Sequence, residues 1–459
     1  MSAPARARFD LAALPLVRPM LRSRWPQLAI TTVALAGFVF AIVAGLAGTP
    51  VGSHNFAIVF VWIAWWAGLI LLAVPLFGRG WCAICPIPAP GEWLQRGAVL
   101  GPPAKGLGLK RRWPKALRNI WLQNVAFSLV AIFSIVVLTQ PRVSALVLAS
   151  FLLVAIGTSL VFERRAFCRY LCPVGGFIGL YAQLAPVEVR VKDTAVCATH
   201  TTKTCYTGSA DGYGCPWQVF PGGLVKNTYC GMCTECLRTC PHDNIALNLR
   251  AFGADLLQPA GRRLDEAFKA FVMLGSAVVY AAVLLGPWSA LKSAAYSIGS
   301  LPWATYALGF LLMMFVFLPG LFALAVLAGR ALARSQADPE KTFVAQAYAL
   351  VPLGLGAWIA FSLAFVFTNL SYLWPVLSDP LNLGWNLFGT AAAAWTPYLT
   401  AIVPVLQALV LAGALAWASG VALRIAGERL TPPAALRQAL PIIAFCGAVT
   451  LGFLVLLIG

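Results

Sequence analysis

Cys230-Gly231-Met232-Cys233-Thr234-Glu235-Cys236-Leu237-Arg238-Thr239-Cys240-Pro241 sets four thiols in the order C-x2-C-x2-C-x3-C-P. This is the ligand spacing of an iron–sulfur cluster. Each two-residue step on a tight loop turns the next sulfur toward the same point, so three thiolates meet three irons of a cubane. The fourth cysteine, placed before proline, typically reaches across to a second cluster. Zinc sites come instead as two C-x2-C pairs divided by a longer loop. The remainder of the chain reads as a membrane frame around this run.

The 459 residues are 60% hydrophobic and only 10% charged, with a mean hydropathy of +0.82. Soluble domains carry about a quarter charged residues, so a soluble globular chain is excluded. The net charge of +18 does not mark a nucleic-acid binder, because no basic stripe with interleaved aromatics lies on a soluble segment. Lys and Arg gather instead in loops on one side of the apolar runs, as membrane insertion demands. Twelve cysteines suggest disulfides, but seven of them fall in one polar segment that the charge bias places inside the cell. Reducing conditions there favour metal ligation.

Residues 1–26 form a basic leader with no removable signal peptide apparent. Apolar runs of span length then cover about 27–47, 56–77, 119–139 and 143–162. Five more follow at about 270–285, 303–328, 343–367, 398–423 and 440–458. The expected fold is an all-α polytopic membrane protein of about nine transmembrane helices with a small cytoplasmic ferredoxin-like [4Fe-4S] insert. Its domains are a four-span unit over 27–186, the insert over 187–250 and a C-terminal membrane domain over 251–459. Positive-inside bias puts the N-terminus and the insert in the cytoplasm of a multi-pass protein of the bacterial inner membrane. The outer loop 368–397, rich in Trp, Leu and Asn, reads as lying along the membrane surface or facing a partner.

The first four spans look like one unit written twice. Each pair of spans exits through arginine, an aromatic residue, a cysteine, a second cysteine and a proline. Trp81-Cys82…Cys85-Pro86 aligns with Phe167-Cys168…Cys172-Pro173. Internal repeats often place a site where they meet. Proline after the second cysteine suits a helix start, which would put that cysteine at a helix N-terminus. With Arg79, Arg164, Arg165 and Arg169 nearby, these thiols are expected to shift toward thiolate. Cys82, Cys85, Cys168 and Cys172 are thus candidates to hold a metal or a cluster, or to work as a dithiol relay. Cys446, alone in the last span, reads as core.

Upstream of the opening run lie Cys197, Cys205 and Cys215, the last followed by Pro216. In two-cluster proteins the Cys-Pro cysteine of each run completes the other run's cluster. On that logic Cys215 joins Cys230, Cys233 and Cys236. Cys240 then joins Cys197 and Cys205 in a second site that lacks one thiolate. His200 stands where a further cysteine is expected, and imidazole ligates iron. The alternative is a single cluster closed by Cys240 or Cys215. Of the three histidines, none lies within a span, so no haem b is expected. The spans hold no acidic residue at their centres, which disfavours a proton pump, and no nucleotide-binding glycine motif is present.

These residues resemble the polytopic membrane ferredoxins of the periplasmic nitrate reductase quinol-dehydrogenase type, and the membrane domain of the nitrous-oxide reductase regulator. The resemblance covers about 25–250 and rests on Cys168, Cys172 and Pro173, on Cys230 to Pro241, and on the two-plus-two span layout. The first pair departs from the family pattern, with two residues between Cys82 and Cys85 instead of three. The resemblance implies electron transfer between the quinone pool and a redox partner protein, in a quinol dehydrogenase-type oxidoreductase subunit. Two rival readings stand beside it. One is an assembly or regulatory factor that uses cluster electrons to reduce a metal or disulfide of a respiratory enzyme. The other is a transporter whose insert senses redox state.

Overall fold

A computed structural model describes residues 8–101 and 104–459. It is mostly helical, and eight of its helices are long and apolar enough to cross a membrane: Trp25–Ala47, Phe56–Phe77, Pro141–Val161, Leu264–Leu284, Leu301–Ala333, Pro339–Ser378, Val403–Ala426 and Pro432–Ile458. The run read as a ninth span is a shorter helix, Trp121–Ile132, parted at Phe133 from Ser134–Thr139. Gln123, Asn124, Ser128 and Ser134 are all buried along it. A helix with that many inward polar groups is held by hydrogen bonds more than by lipid contact. Phe56–Phe77 is continuous but wound partly in wide π-type turns, with Pro75 inside the second stretch. Proline removes one backbone donor, and a wider turn accommodates that loss.

The chain divides into two compact units. The first holds the residues up to Phe40, Leu72–Gln123 and Leu148–Gly261. At its centre a small sheet joins β1 (Phe9–Asp10), β2 (Val187–Val191) and β3 (Ile245–Leu249) in the order β1-β3-β2. β2 and β3 run antiparallel, with Val187 opposite Leu249 and Val191 opposite Ile245. The strands therefore open and close the cysteine-rich insert. The alternation Val-Glu-Val-Arg-Val gives β2 one apolar face, where Val189 packs with Ala12, Leu237 and Ile245. The other face is also buried, and its charges are matched: Glu188 meets Arg250 at 2.7 Å and Arg190 meets Asp255 at 3.1 Å. A buried charge persists only when paired and hydrogen-bonded in this way.

The second unit holds Ala41–Leu71, Asn124–Val147 and everything from Arg262. Within it Trp358 Nε1 donates to Met273 O at 3.0 Å, and Gln407 Nε2 donates to Ala360 O at 2.8 Å. A Cβ at Gly356 would stand 2.4 Å from the Ala414 methyl group, so glycine lets these helices approach closely. Leu264–Leu284 starts earlier than the composition suggests, and its first turns bury Asp265, Glu266 and Lys269. Glu266 accepts the Tyr348 hydroxyl at 2.5 Å. The expected outer loop is partly helical to Ser378; Asp379 then ties the turn beyond it by accepting from Leu383 N and Gly384 N.

Candidate iron–sulfur site

The cysteine run is built on an anchored loop. Asn227 N donates to Asp255 Oδ2 at 2.7 Å, and Asn227 Nδ2 donates to Val187 O at 2.8 Å. The buried charge network thus fixes the backbone three residues before Cys230. Met232 and Thr234 then take left-handed conformations, with φ of 51° and 59°. Such residues are costly and cluster where a ligand is clamped. They turn the chain back between Cys230, Cys233 and Cys236, and Glu235–Thr239 forms a short helix that ends at Cys240.

Cys215, Cys230, Cys233 and Cys236 line a single, partly open cavity. Val189, Trp217, Val219, Leu224 and Met232 supply its apolar wall. Trp217 also lines it, and its indole N–H is buried without a hydrogen-bond partner among the described residues. Burying an indole N–H unpaired is costly, and a cluster sulfide is an acceptor of the kind this donor lacks. Val219 N donates to Cys215 Sγ at 3.5 Å, the sort of sulfur hydrogen bond that tunes cluster potential. Four thiols, an apolar shell and a spare donor fit a [4Fe-4S] cubane. Without metal, burial pushes Cys230 up to about 11 and Cys233 up to about 12. Coordination reverses this, because a metal deprotonates a ligating thiol outright.

Cys197, Cys205 and Cys240 form a second group. Asn244 touches two of its members: its backbone N donates to Cys240 Sγ and its side chain to Cys197 Sγ, each at 3.4 Å. Burial raises Cys205 to about 11, with the nearby Cys240 and Cys197 adding to the rise. His200 Nδ1 lies 2.7 Å from Val196 O, and its ring packs 4.4 Å from that of His242. An imidazole that donates Nδ1–H to a carbonyl keeps Nε2 free as a ligand. His242 is the residue here that sequence reading passed over. The two groups adjoin, since Cys236 lies within electrostatic reach of Cys205 as well as of Cys215, Cys230 and Cys233.

The two Cys–Pro pairs come together as a third group. Every pair among Cys82, Cys85, Cys168 and Cys172 is within electrostatic reach. Cys172 caps Pro173–Tyr181, where its sulfur accepts from Gly175 N at 3.2 Å. Cys168 lies on the π-type turn Phe167–Leu171. Cys85 departs from the expected symmetry: it ends Gly80–Ile84, and the next helix begins only at Ala89. A turn closed by Ala89 N donating to Pro86 O separates the two helices, and a residue before proline is disfavoured in the helical region. The expected drift toward thiolate is corrected as well. Burial raises Cys82, Cys85 and Cys168, and Cys172 to about 11; Arg79 and Arg165 pull downward and are outweighed. Arg164 and Arg169 point elsewhere, donating to Cys215 O and to Gln218 O at 2.7 Å each.

Among the described residues, no three His, Cys, Asp or Glu side chains converge as a single metal ion requires. Ligands of separate irons in one cluster stand further apart than ligands of one ion. Two features of this unit left little trace in the sequence. Glu92 is buried between Arg165, at 2.7 Å, and Arg96; its one signal is being the sole acidic residue of the basic loop 78–118. Gly231 is required because a Cβ there would fall 1.8 Å from Trp217 Nε1. Only packing reveals that.

The family of 4Fe-4S binding domains matches this chain twice, over residues 58–114 and 144–191. Each matched segment carries one Cys–Pro pair, so the two copies coincide with the internal repeat; residues 230–241 lie outside both. The chain is 29% identical over 83 residues to the Escherichia coli (strain K12) protein YccM, whose name places it provisionally in electron transport. That stretch is 18% of this chain and spans 21% of the relative. No solved structure matches the chain. The chain is a membrane protein with a 4Fe-4S binding domain written in two segments, one around each thiol pair.

Proposed function

We propose that this protein is a membrane-bound iron–sulfur electron-transfer protein that passes electrons between the quinone pool and a redox partner protein. The observation that carries the reading is the order of the thiol groups. Cys197, Cys205 and Cys240 adjoin Cys215, Cys230, Cys233 and Cys236 through the Cys205–Cys236 neighbours. That central group in turn neighbours the Cys–Pro pairs through two buried arginines. Arg165 feels both Cys168 and Cys233, and the Arg79 charge acts on Cys82, Cys172 and Cys230. Three redox centres in series, with fixed positive charge between them, make a path for single electrons.

In this reading Cys215, Cys230, Cys233 and Cys236 hold a [4Fe-4S] cluster. Cys197, Cys205 and Cys240, with His200, hold a second. Bound clusters supply one-electron chemistry; the chain's part is to exclude water, fix spacing and set potential through N–H···S bonds and the two arginines. Basic helix ends favour the cytoplasmic side for the clusters, and the similarity to YccM, named for electron transport, supports that role. Cys82, Cys85, Cys168 and Cys172 hold the third centre or act as dithiols. The second option supports the rival reading, reduction of a metal or disulfide during assembly of a respiratory enzyme.

The test is reduction of the purified, cluster-loaded protein followed by EPR. Rapid appearance of reduced [4Fe-4S] signals on adding a hydroquinone supports the quinone-linked reading. Clusters that ignore hydroquinone yet pass dithionite electrons to cupric ion or a disulfide would replace it with the rival.

A further inference from the structure

The Arg79 side chain occupies a slot shaped around it. Arg79 precedes the short helix Gly80–Ile84, and its carbonyl accepts from Cys82 N at 2.9 Å. Its guanidinium lies against the helix Pro173–Tyr181, where Nη2 donates to Gly175 O. Gly179 stands one turn further on, and a Cβ there would fall 2.7 Å from Nη2. Glycine at that turn leaves the space the guanidinium fills. The guanidinium also lies over the Trp217 ring at 4.4 Å, and Trp217 lines the cavity of Cys215, Cys230, Cys233 and Cys236. One cation therefore joins two thiol groups. Gly175 N donates to Cys172 Sγ on one side, and Trp217 walls the cavity of Cys230 on the other.

What sets Arg79 apart is the lack of a counter-charge. It is only 3% exposed, yet no carboxylate pairs with it among the described residues, and its Nε is buried without a hydrogen-bond partner. Arg165, the other buried arginine beside these thiols, is neutralised by Glu92 at 2.7 Å. A buried charge persists only when something of opposite sign compensates it. The groups beside Arg79 that become negative are thiols, since its charge acts on Cys82, Cys172 and Cys230. A cluster held by thiolates is an anion, and its net charge helps to set its potential. Glu92 cancels most of the field of Arg165, whereas the field of Arg79 is left whole.

We propose that Arg79 is the shared counter-ion of the central cluster and of the centre at Cys82, Cys85, Cys168 and Cys172, and that Arg79, not the neutralised Arg165, sets the potential of both. This role rests on the electron-transfer reading above, with a cluster at the Cys–Pro thiols, and separates two arginines that differ in their partners. Positive charge held beside a cluster favours the reduced form, so Arg79 raises both midpoints. One cation raising the two together keeps the step between them small, which suits passage of single electrons.

The test is redox titration of the full-length, cluster-loaded protein followed by EPR. In Arg79→Gln both midpoints should fall by about tenfold or more in the reduction equilibrium, about 59 mV for a one-electron couple, while the centre of Cys197, Cys205 and Cys240 is unmoved. Arg79→Lys keeps the charge and should retain most of the parent midpoints. Gly179→Ala should lower both by displacing the guanidinium from its slot. The double change Glu92→Gln with Arg165→Gln removes a neutral pair and should move the midpoints less than Arg79→Gln does. Where Arg79→Gln holds no iron, Gly179→Ala and Arg79→Lys make the same comparison. Unchanged midpoints at parental iron content leave Arg79 a packing residue and overturn the inference. A shift at one centre only, or Cys–Pro thiols that bind no iron, overturns the shared role. Equal shifts from Arg79→Gln and the double change overturn the distinction between the arginines. Clusters inert to hydroquinone whose midpoints still follow Arg79 overturn the quinone-linked reading and leave this inference standing.

Discussion

Two thiol groups of the same unit are assembled in opposite ways. Cys230, Cys233 and Cys236 sit on one short loop, and a single distant thiol, Cys215, faces the same cavity. Cys82, Cys85, Cys168 and Cys172 come from two separate chain segments, each contributing a pair at a helix end. The first arrangement is local and tolerates little backbone change, because its geometry is written in two left-handed residues and one glycine. The second depends on two repeats meeting, so its integrity follows helix packing and the charges between the halves. Arg165, from the second repeat, reaching Glu92 in the first is the clearest such tie.

The largest expected effect separates the two groups outright. Cys236→Ser should remove about four irons per chain and one [4Fe-4S] EPR signal, while leaving the rest of the iron in place. Cys172→Ser should leave that signal intact. Iron and sulfide counts with EPR on both variants check this, and loss of all clusters from either single change would merge the two groups into one cooperative site.

Next in size is the tie between repeats. Glu92→Gln leaves the buried Arg165 and the partly exposed Arg96 without a counter-charge; stranding a buried charge costs about 3–5 kcal/mol, read as a lower melting temperature. The pH dependence follows from the same pair. Burial alone would raise the Glu92 carboxyl, but Arg165 and Arg96 outweigh it and the net shift is downward. A carboxyl depressed in the folded state stabilises fully above its unfolded value and loses that contribution as pH falls through the folded value. The thermal stability of the parent protein should therefore fall on acidification below the ordinary carboxylate range, and Glu92→Gln should flatten that limb.

A third test concerns the local loop. Gly231→Ala places a methyl group on Trp217 Nε1, and overpacking of this kind costs about 1–3 kcal/mol. Cluster occupancy of the central group should fall while the Cys–Pro group is unaffected, and Trp217→Leu in the same chain should restore part of it. The smallest effect is expected at Asn244→Ala. The change removes its donor to Cys197 Sγ and its two hydrogen bonds with the Asp193 backbone, each worth about 1 kcal/mol, and should move the midpoint of the second group downward without changing iron content. Redox titration of that variant against the parent protein measures the shift.

Much of this was legible from spacing. Membrane spans follow from runs of apolar residues, and eight of the nine expected are present as long apolar helices. The ninth, around Trp121–Ile132, was apolar enough to be counted but carries a buried polar face and breaks at Phe133. Hydropathy averages over faces and does not register that. The helix start after Cys172 was readable from Pro173, whereas the delayed start after Cys85 required noticing that Pro88 follows Pro86 by one residue. The direction of the thiol shifts at the Cys–Pro pairs was not readable. Neighbouring arginines are visible in a sequence, but desolvation depends on burial, and burial here outweighs them.

The sequence by itself determined the cluster-type ligand run, the membrane class and the twofold repeat, because each is a matter of residue order within one or two turns of chain. Only the tertiary structure decided that Cys215 faces the cavity of Cys230, Cys233 and Cys236, and that all four Cys–Pro thiols stand together. The physical reason is range. Ligand spacing on a loop is set by bond geometry over three or four residues, whereas convergence of distant thiols is set by packing, by the Glu188–Arg250–Asp255–Arg190 network and by the Glu92–Arg165 pair. Those interactions join residues tens of positions apart and leave no local pattern in the sequence.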